Sequence, residues 1–360
     1  MQRSNVVVEE INDQNLYENY SQKMSAHFLQ SWEWGEFKKE YGWIPVRVFF
    51  KHENKIIGLA QLLIKKIKNR KLFAYIPRGP EITVSNMDSL KKVFNNLKIF
   101  IRENYSEIAF IRFEMDNIEK VEGKQVTRNE KVLEFIKKNY KKSPYDIQVK
   151  DTRKLKLIDR KKLWDSFKSN QRRKIRKAKK YDVKIFKTKS EKIFKKWFRI
   201  NKKTASRANY FIHPYGYYKK YFNSFIKNDL ANLYIAEFEN KIVGGIIVVF
   251  YNEEAIYQYG ASLRLKKNVY SNEALQWKAI KDAEKKGLKN YDFWGVSPDE
   301  KDKTHPWYGI SKFKRQFGGN HITYMGSYDI PVHGIKYYIL IILEKLRKKY
   351  LKIKKYFRKK

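Results

Sequence analysis

Two hydrophobic rhythms alternate along this chain, and one series of them occurs twice. The first copy opens on the apolar run Val46-Arg47-Val48-Phe49-Phe50, turns at Glu53-Asn54-Lys55-Ile56-Ile57-Gly58, and continues apolar from Leu59 to Ile64. The second runs from Leu233 to Phe238, turns at Glu239-Asn240-Lys241-Ile242-Val243-Gly244, and continues from Ile246 to Phe250. Glu-Asn-Lys between two apolar strands is turn chemistry, so each copy predicts a β-hairpin. After the first hairpin the rhythm changes to a helical stripe, Leu90, Val93, Phe94, Leu97 and Phe100 within 88–104, which leads into the strand Ile108–Phe113. After the second, a helical segment over 272–287 leads through a glycine turn into Tyr291–Val296. Hairpin, helix, strand in the same order twice predicts two homologous α/β domains with mixed sheets. The boundaries expected are 1–149 and 150–326, with 327–360 returning to pack on the first domain.

The last segment, 335–360, reads as one long helix. Its stripe is Ile335, Tyr338, Ile339, Ile342, Leu346, Tyr350, Ile353 and Phe357, and it carries eleven Lys or Arg against the single acid Glu344. The expectation is that Ile335 to Leu346 docks and that Arg347 to Lys360 projects as a basic tail. Such a tail suits anionic lipid or RNA.

Composition narrows the chemistry. At 42% hydrophobic and 16% aromatic, the chain can build cores and is no disordered polycation. It has no cysteine, and its six histidines lack ligand spacing, so neither a disulfide framework nor a metal enzyme is expected. The N-terminal stretch has no apolar leader and no run long enough to span a bilayer, so the expected location is the cytoplasm, at most at the inner membrane face. Lys and Arg number 79 against 38 acids, a net charge of +41, which selects polyanionic partners. The surplus is concentrated in Lys168–Lys180, with eight basic residues and no acid. On a helix, Arg172, Arg173, Lys174, Arg176 and Lys177 suit an RNA backbone, or form only a solvated face.

The candidate chemistry sits near the end of the second domain. Phe313-Lys314-Arg315-Gln316-Phe317 runs directly into Gly318-Gly319. A lysine in an aromatic, glycine-rich setting can place one positive charge beside a reacting carbonyl. Tyr257 and Tyr259 alternate on a strand and so are expected to face one groove. Arg207 can grip a phosphate or carboxylate through its fork. Glu114 or Asp116 can accept a proton or hold an ammonium, or simply cap a turn. Arg78 is a turn residue or a ligand.

Five blocks then carry a resemblance: QSWEWGEFK at 30–38, AYIPRGP at 74–80, SNQRRKIRKA at 169–178, YDFWG at 291–295 and FKRQFGG at 313–319. In this order they resemble the FemABX family of peptidoglycan-bridge transferases, which move amino acids from aminoacyl-tRNA onto a cell-wall precursor. The resemblance implies two tandem domains of the GNAT acetyltransferase type, with the active cleft at the second domain near the interface. It implies Lys314 as the catalytic lysine, Lys38, Arg207 and Tyr259 as contacts to the precursor, and no metal or cofactor. The partners it implies are aminoacyl-tRNA and UDP-MurNAc-pentapeptide or lipid II; a monomer is the default expectation, since nothing in the sequence suggests an oligomer. The sequence departs from the family pattern in two places. Glu114-Met115-Asp116 stands where Asp-Pro-Asp is usual, and Phe211 stands where a tyrosine is expected, beside Tyr210. There is no long heptad insertion before Arg207, which matches the shorter members acting on a soluble nucleotide precursor.

Two rivals remain at this level. One is an acyl-CoA-dependent N-acyltransferase of the same fold; against it, 261–275 has no glycine pair for a pyrophosphate turn. The other is a non-catalytic protein that binds tRNA or membrane.

Overall fold

The computed structural model describes residues 6–67, 70–83, 86–126 and 130–357. The chain forms two compact units. The first comprises Met1–Glu119, Gln125–Gln148 and Tyr324–Lys360, and the second Lys120–Lys124 and Val149–Thr323.

In the first unit the sheet follows the order Val6–Glu10, Trp43–His52, Lys55–Ile67, Arg70–Ile76, Phe110–Phe113, Tyr328–Pro331 and Lys141–Lys142. The turn between the second and third of these strands places Glu53 and Asn54 at φ 47° and 61°. Two successive left-handed residues give a tight hairpin the twist its strands require. Glu239 and Asn240 do the same in the second unit, at φ 50° and 57°. Among the described residues the strand pairings of this sheet are antiparallel except Arg70–Ile76 with Phe110–Phe113. A parallel pair needs a crossover, and the helix Met87–Asn104 supplies it. Asn86 caps that helix by accepting the Ser89 N–H at 2.8 Å, and Leu90, Val93, Phe94, Leu97 and Ile101 are buried. The buried stripe ends on Ile101; Phe100 is only partly covered.

The second unit repeats the plan. Lys184–Thr188, Ala231–Phe238, Lys241–Tyr251, Glu254–Ser262, Asn290–Gly295, Asp151–Lys156 and Asn320–Tyr324 follow one another across the sheet. Its parallel pair is Glu254–Ser262 with Asn290–Gly295, bridged by the helix Ser271–Lys285, which buries Leu275, Ala279, Ile280 and Ala283. The parallel strand thus ends in each unit just after a crossover helix, and in the second unit that end carries the candidate chemistry.

The C-terminal helix, Gly334–Phe357, departs from expectation. It docks on the first sheet through Tyr337 and Ile341, with Leu340, against Phe73, Ala109 and Phe110. Glu344 fixes this choice of face. Its carboxylate accepts from Arg112 at 3.2 Å and from the Tyr145 hydroxyl at 2.9 Å, and Arg112 is itself held bidentately by the fully buried Asp329. The stripe expected to dock faces solvent instead: Ile335 is 81% exposed and Leu346 58%. Docking also continues past Leu346, since Lys348 Nζ lies 3.4 Å from the centre of the Tyr145 ring. The side chains of Ile353 and Phe357 lie outside the described residues.

Candidate active site

Lys314 lies in the last turn of the short helix Tyr308–Arg315 and is 3% exposed. Its Nζ donates to the carbonyl oxygens of Trp294 at 3.2 Å and Gly295 at 2.7 Å. Those carbonyls are aimed by a local distortion: Trp294 sits at φ 62°, a left-handed conformation that is costly for a bulky residue. Buried Asp292 holds the distortion, accepting from the Trp294 N–H at 2.6 Å and from the Thr152 hydroxyl. Ser311, one turn before Lys314, ties the helix to the strand end by accepting the Ser297 N–H at 2.8 Å. The Tyr257 ring centre is 5.6 Å from Nζ. Burial pushes the lysine down to about 7, although Asp292 and Glu300 favour its charged form. Two backbone carbonyls accept two of the three ammonium hydrogens among the described residues, and an ammonium has a third to donate.

The floor under Lys314 is aromatic and the turn after it is rigid. Phe317 is fully buried against Phe167, Phe293 and Phe313. Gly318 and Gly319 follow at φ 78° and 71°, and a Cβ on Gly319 would lie 2.4 Å from the Lys154 carbonyl oxygen. Only glycine fits there. Arg153 clamps this turn, donating to the Gly318 and Gly319 carbonyls while pairing with buried Glu300 at 3.0 and 2.7 Å.

Beside this lies a cavity of ≈ 300 Å³ lined by Phe313, Arg207, Arg264, Lys267 and the start of the helix Ser271–Lys285. Arg207 donates to the Ser262 carbonyl at 3.2 Å from an exposed position. Tyr270 leads into the helix without a side-chain cap, and the first-turn residues Ser271, Asn272 and Glu273 line the cavity beside its three basic side chains, with Glu273 paired to Lys174 at 3.3 Å. Tyr257 and Tyr259 do not share a groove. A bulge at Gln258, where Tyr257 and Tyr259 pair with the consecutive residues Val248 and Ile247, breaks the alternation. Tyr257 approaches Lys314, whereas Tyr259 packs edge-on against Tyr218 and Tyr221.

The basic helix is Ser169–Lys180, with Gln171, Ile175 and Ala178 buried. Its five candidates differ. Arg172 is spent on the end of the preceding helix, donating to the Asp165 and Phe167 carbonyls at 2.7 Å. Lys174 pairs with Glu273 at 3.3 Å. Arg173 and Arg176 are exposed, and Lys177 is half-buried.

The remaining candidates belong to the first unit. Lys38 stands over the Trp34 and Trp43 rings at 5.4 and 5.8 Å, and burial, then Lys65, lowers it to about 8. Arg78, buried at φ 49° in the turn, stacks 3.7 Å above the Tyr324 ring and lies 3.7 Å from Asp116. Burial and the nearby Asp116 raise Glu81 to about 8. Glu114 corrects an expectation. It is buried and accepts from Tyr75, Ser327 and the Ile147 and Gln148 N–H groups. Its oxygens are occupied by the protein's own donors, so it is a structural joint rather than a ligand for an ammonium. Among the described residues no cluster of metal-ligating side chains occurs.

The FemAB family model matches residues 13–242 and 234–345. The chain belongs to the FemAB family. Its curated relatives include the lipid II:glycine glycyltransferase of Staphylococcus epidermidis (strain ATCC 35984 / DSM 28319 / BCRC 17069 / CCUG 31568 / BM 3577 / RP62A), 24% identical over 92% of this chain and 93% of that one. The enzyme of the same name from Staphylococcus aureus (strain MRSA252) is 24% identical over 88% and 90%. Among solved structures, FemX superposes with a TM-score of 0.80 at 18% identity, covering 92% of this chain and all of that one. A tandem GNAT protein from the clavulanic acid biosynthesis pathway gives 0.55 at 8% identity, over 91% and 98%. The fold is a tandem GNAT-like pair.

In this FemAB member, sequence reasoning missed the residues that hold Lys314 in place: Thr152, Asp292, Ser311, and the Arg153–Glu300 clamp. Arg153 and Glu300 are far apart in the chain, and each alone reads as an ordinary charged residue. The one available signal was a pair of consecutive glycines after the lysine, which implies a crowded turn with something packed against it.

Proposed function

We propose that this protein is an aminoacyltransferase that moves an amino acid from aminoacyl-tRNA to an amine on the stem peptide of a peptidoglycan precursor. The observation that carries the reading is Lys314, a buried lysine with two hydrogens committed to backbone carbonyls and a third to donate. The names of the family relatives, lipid II:glycine glycyltransferases aligned over nearly the whole chain, support the acceptor class.

The reaction divides as follows. The neutral acceptor amine adds to the ester carbonyl carbon of the donor, forming the C–N bond and placing negative charge on the carbonyl oxygen. Lys314 in its charged form donates its third hydrogen to that oxyanion, where a preorganised donor is worth about 100- to 1000-fold in rate. The tetrahedral intermediate collapses as the bond to the ribose oxygen breaks. The amine nitrogen releases its proton and the ribose oxygen takes one up. The aromatic floor and the glycine turn hold the lysine without freedom to swing, so little reorganisation accompanies the charge. The basic cavity beside Phe313 suits a phosphate near the reacting end, and exposed Arg173 and Arg176 suit a more distant backbone.

The same cavity is the feature that favours a second reading, an acyl-CoA donor, because a diphosphate would also fit beside Arg207 and Arg264. The absence of a glycine pair across 261–275 weighs against it. The test of the proposal is reconstitution: tRNAs charged with labelled glycine, alanine or serine, each offered with lipid II and with UDP-linked pentapeptide. Label in the muramyl peptide names both donor residue and acceptor. Absence of label in every combination, from folded protein, refutes the reading.

A further inference from the structure

We infer that the C-terminal helix rests on an anionic phospholipid surface through the face opposite its docked one. The helix has two apolar sides. Tyr337, Leu340, Ile341 and Glu344 meet the first sheet. At 3.6 residues per turn, Tyr338, Ile339, Ile342, Leu343, Leu346 and Tyr350 fall on the far side, roughly half a turn around the axis. All six are exposed, between 53% and 61%. A run of that length is no scatter of surface hydrophobics, since isolated ones are ordinary but a continuous stripe is not.

The flanks identify the occupant. Lys336 and Arg347 border the stripe on one side, Lys345 and Lys349 on the other, and all are exposed. The helix turns no acid of its own toward it: Glu344, the only acid between residues 335 and 360, is turned to Arg112 and Tyr145. An apolar strip with basic borders is the arrangement of a helix lying in a bilayer interface, where lysine stems follow the apolar surface and the ammonium groups reach phosphates. The helix lies on the surface and does not cross it, because no helix among the described residues is long and apolar enough to span a membrane. RNA would satisfy the borders and leave the strip in water. A second copy would cover the strip but set lysine against lysine.

The experiment is vesicle flotation of the full chain, with phosphatidylcholine vesicles against vesicles containing phosphatidylglycerol. At least about tenfold more protein should float with the anionic vesicles, and raising salt from about 0.15 M to about 0.5 M should reduce it. The triple substitution Ile339→Ser, Ile342→Ser, Leu346→Ser should lower binding at least about tenfold with little change in melting temperature, because these side chains are more than half exposed and lie outside the packed cluster that docks the helix. Lys345→Gln with Arg347→Gln and Lys349→Gln should remove most of the salt dependence. Wild-type protein that stays off anionic vesicles overturns the inference. So does a serine variant that binds like wild type, or light scattering that finds a dimer which the serine variant dissolves. No tRNA or acceptor enters the assay, so its outcome is separable from that of the transfer reading.

Discussion

Titration of Lys314 should be visible in the rate. Burial lowers this lysine from the ordinary 10.5 to about 7, a cost of roughly 5 kcal/mol on its charged form. The attacking amine must be neutral, and below its own pKa near about 10 the neutral fraction rises tenfold per pH unit. Lys314 must be charged, and above about 7 that fraction falls tenfold per unit. The two dependences cancel above the break. The kcat/KM should therefore climb with unit slope to about pH 7 and then level. In Lys314→Arg the charge persists, so the plateau should be replaced by a continuing climb, at a lower rate because a planar fork cannot reproduce the two carbonyl contacts. Lys314→Met should lose about 100- to 1000-fold and show no break. Initial rates of label transfer from about pH 6 to about pH 8.5, corrected for ester hydrolysis, provide the profile. A break that survives in Lys314→Met, or a slope that steepens below pH 7 as for a general base, would refute the assignment. Folding gives an independent check. Between about 7 and 10.5 the unfolded chain binds the proton that folded Lys314 has released, so stability should rise with pH across that window. Urea melts of Lys314→Met should lack this increment.

Three further outcomes follow from packing. Gly319→Ala, which puts a Cβ 2.4 Å from the Lys154 carbonyl oxygen at φ 71°, should destabilise by more than about 2 kcal/mol in chemical denaturation; a loss under about 0.5 kcal/mol contradicts the crowding. Arg153→Met removes both short contacts to the buried Glu300 carboxylate, leaving it a 3.9 Å pairing with Arg315, and should cost about 3–5 kcal/mol; an unchanged denaturation midpoint would show the clamp to be idle. Glu114→Gln should cost about 1–3 kcal/mol while leaving the acceptor KM within about twofold; unaltered stability with a tenfold higher KM would restore Glu114 as a ligand.

What was legible in the sequence was local. Glu53-Asn54-Lys55 and Glu239-Asn240-Lys241 announce their hairpins because polar turn residues interrupt two apolar strands, and the asparagine tolerates the left-handed conformation each turn adopts. The stripe from Leu90 to Leu97 announces its helix because a single face is apolar. The C-terminal helix misled because it has two apolar faces and periodicity cannot rank them. The choice was made by a long-range contact, Glu344 with Arg112. Tyr257 and Tyr259 misled because a bulge leaves no mark in an alternating pattern. Lys314 stands out in the sequence through its glycines and aromatics, but the distorted strand end at Trp294 and the carbonyl partners appear only in the folded chain. Glu114 read as chemistry because a carboxylate after a strand looks available, and its four protein donors come from three distant segments.

The central claim is that the donor is an ester on RNA. Its most direct test is transfer of labelled amino acid from charged tRNA to the muramyl peptide, run with and without ribonuclease, beside a parallel reaction offering acetyl-CoA. The account predicts transfer that ribonuclease abolishes and that acetyl-CoA neither replaces nor inhibits. Acylation of the same peptide by acetyl-CoA, or no transfer from any charged tRNA to either acceptor, would contradict it.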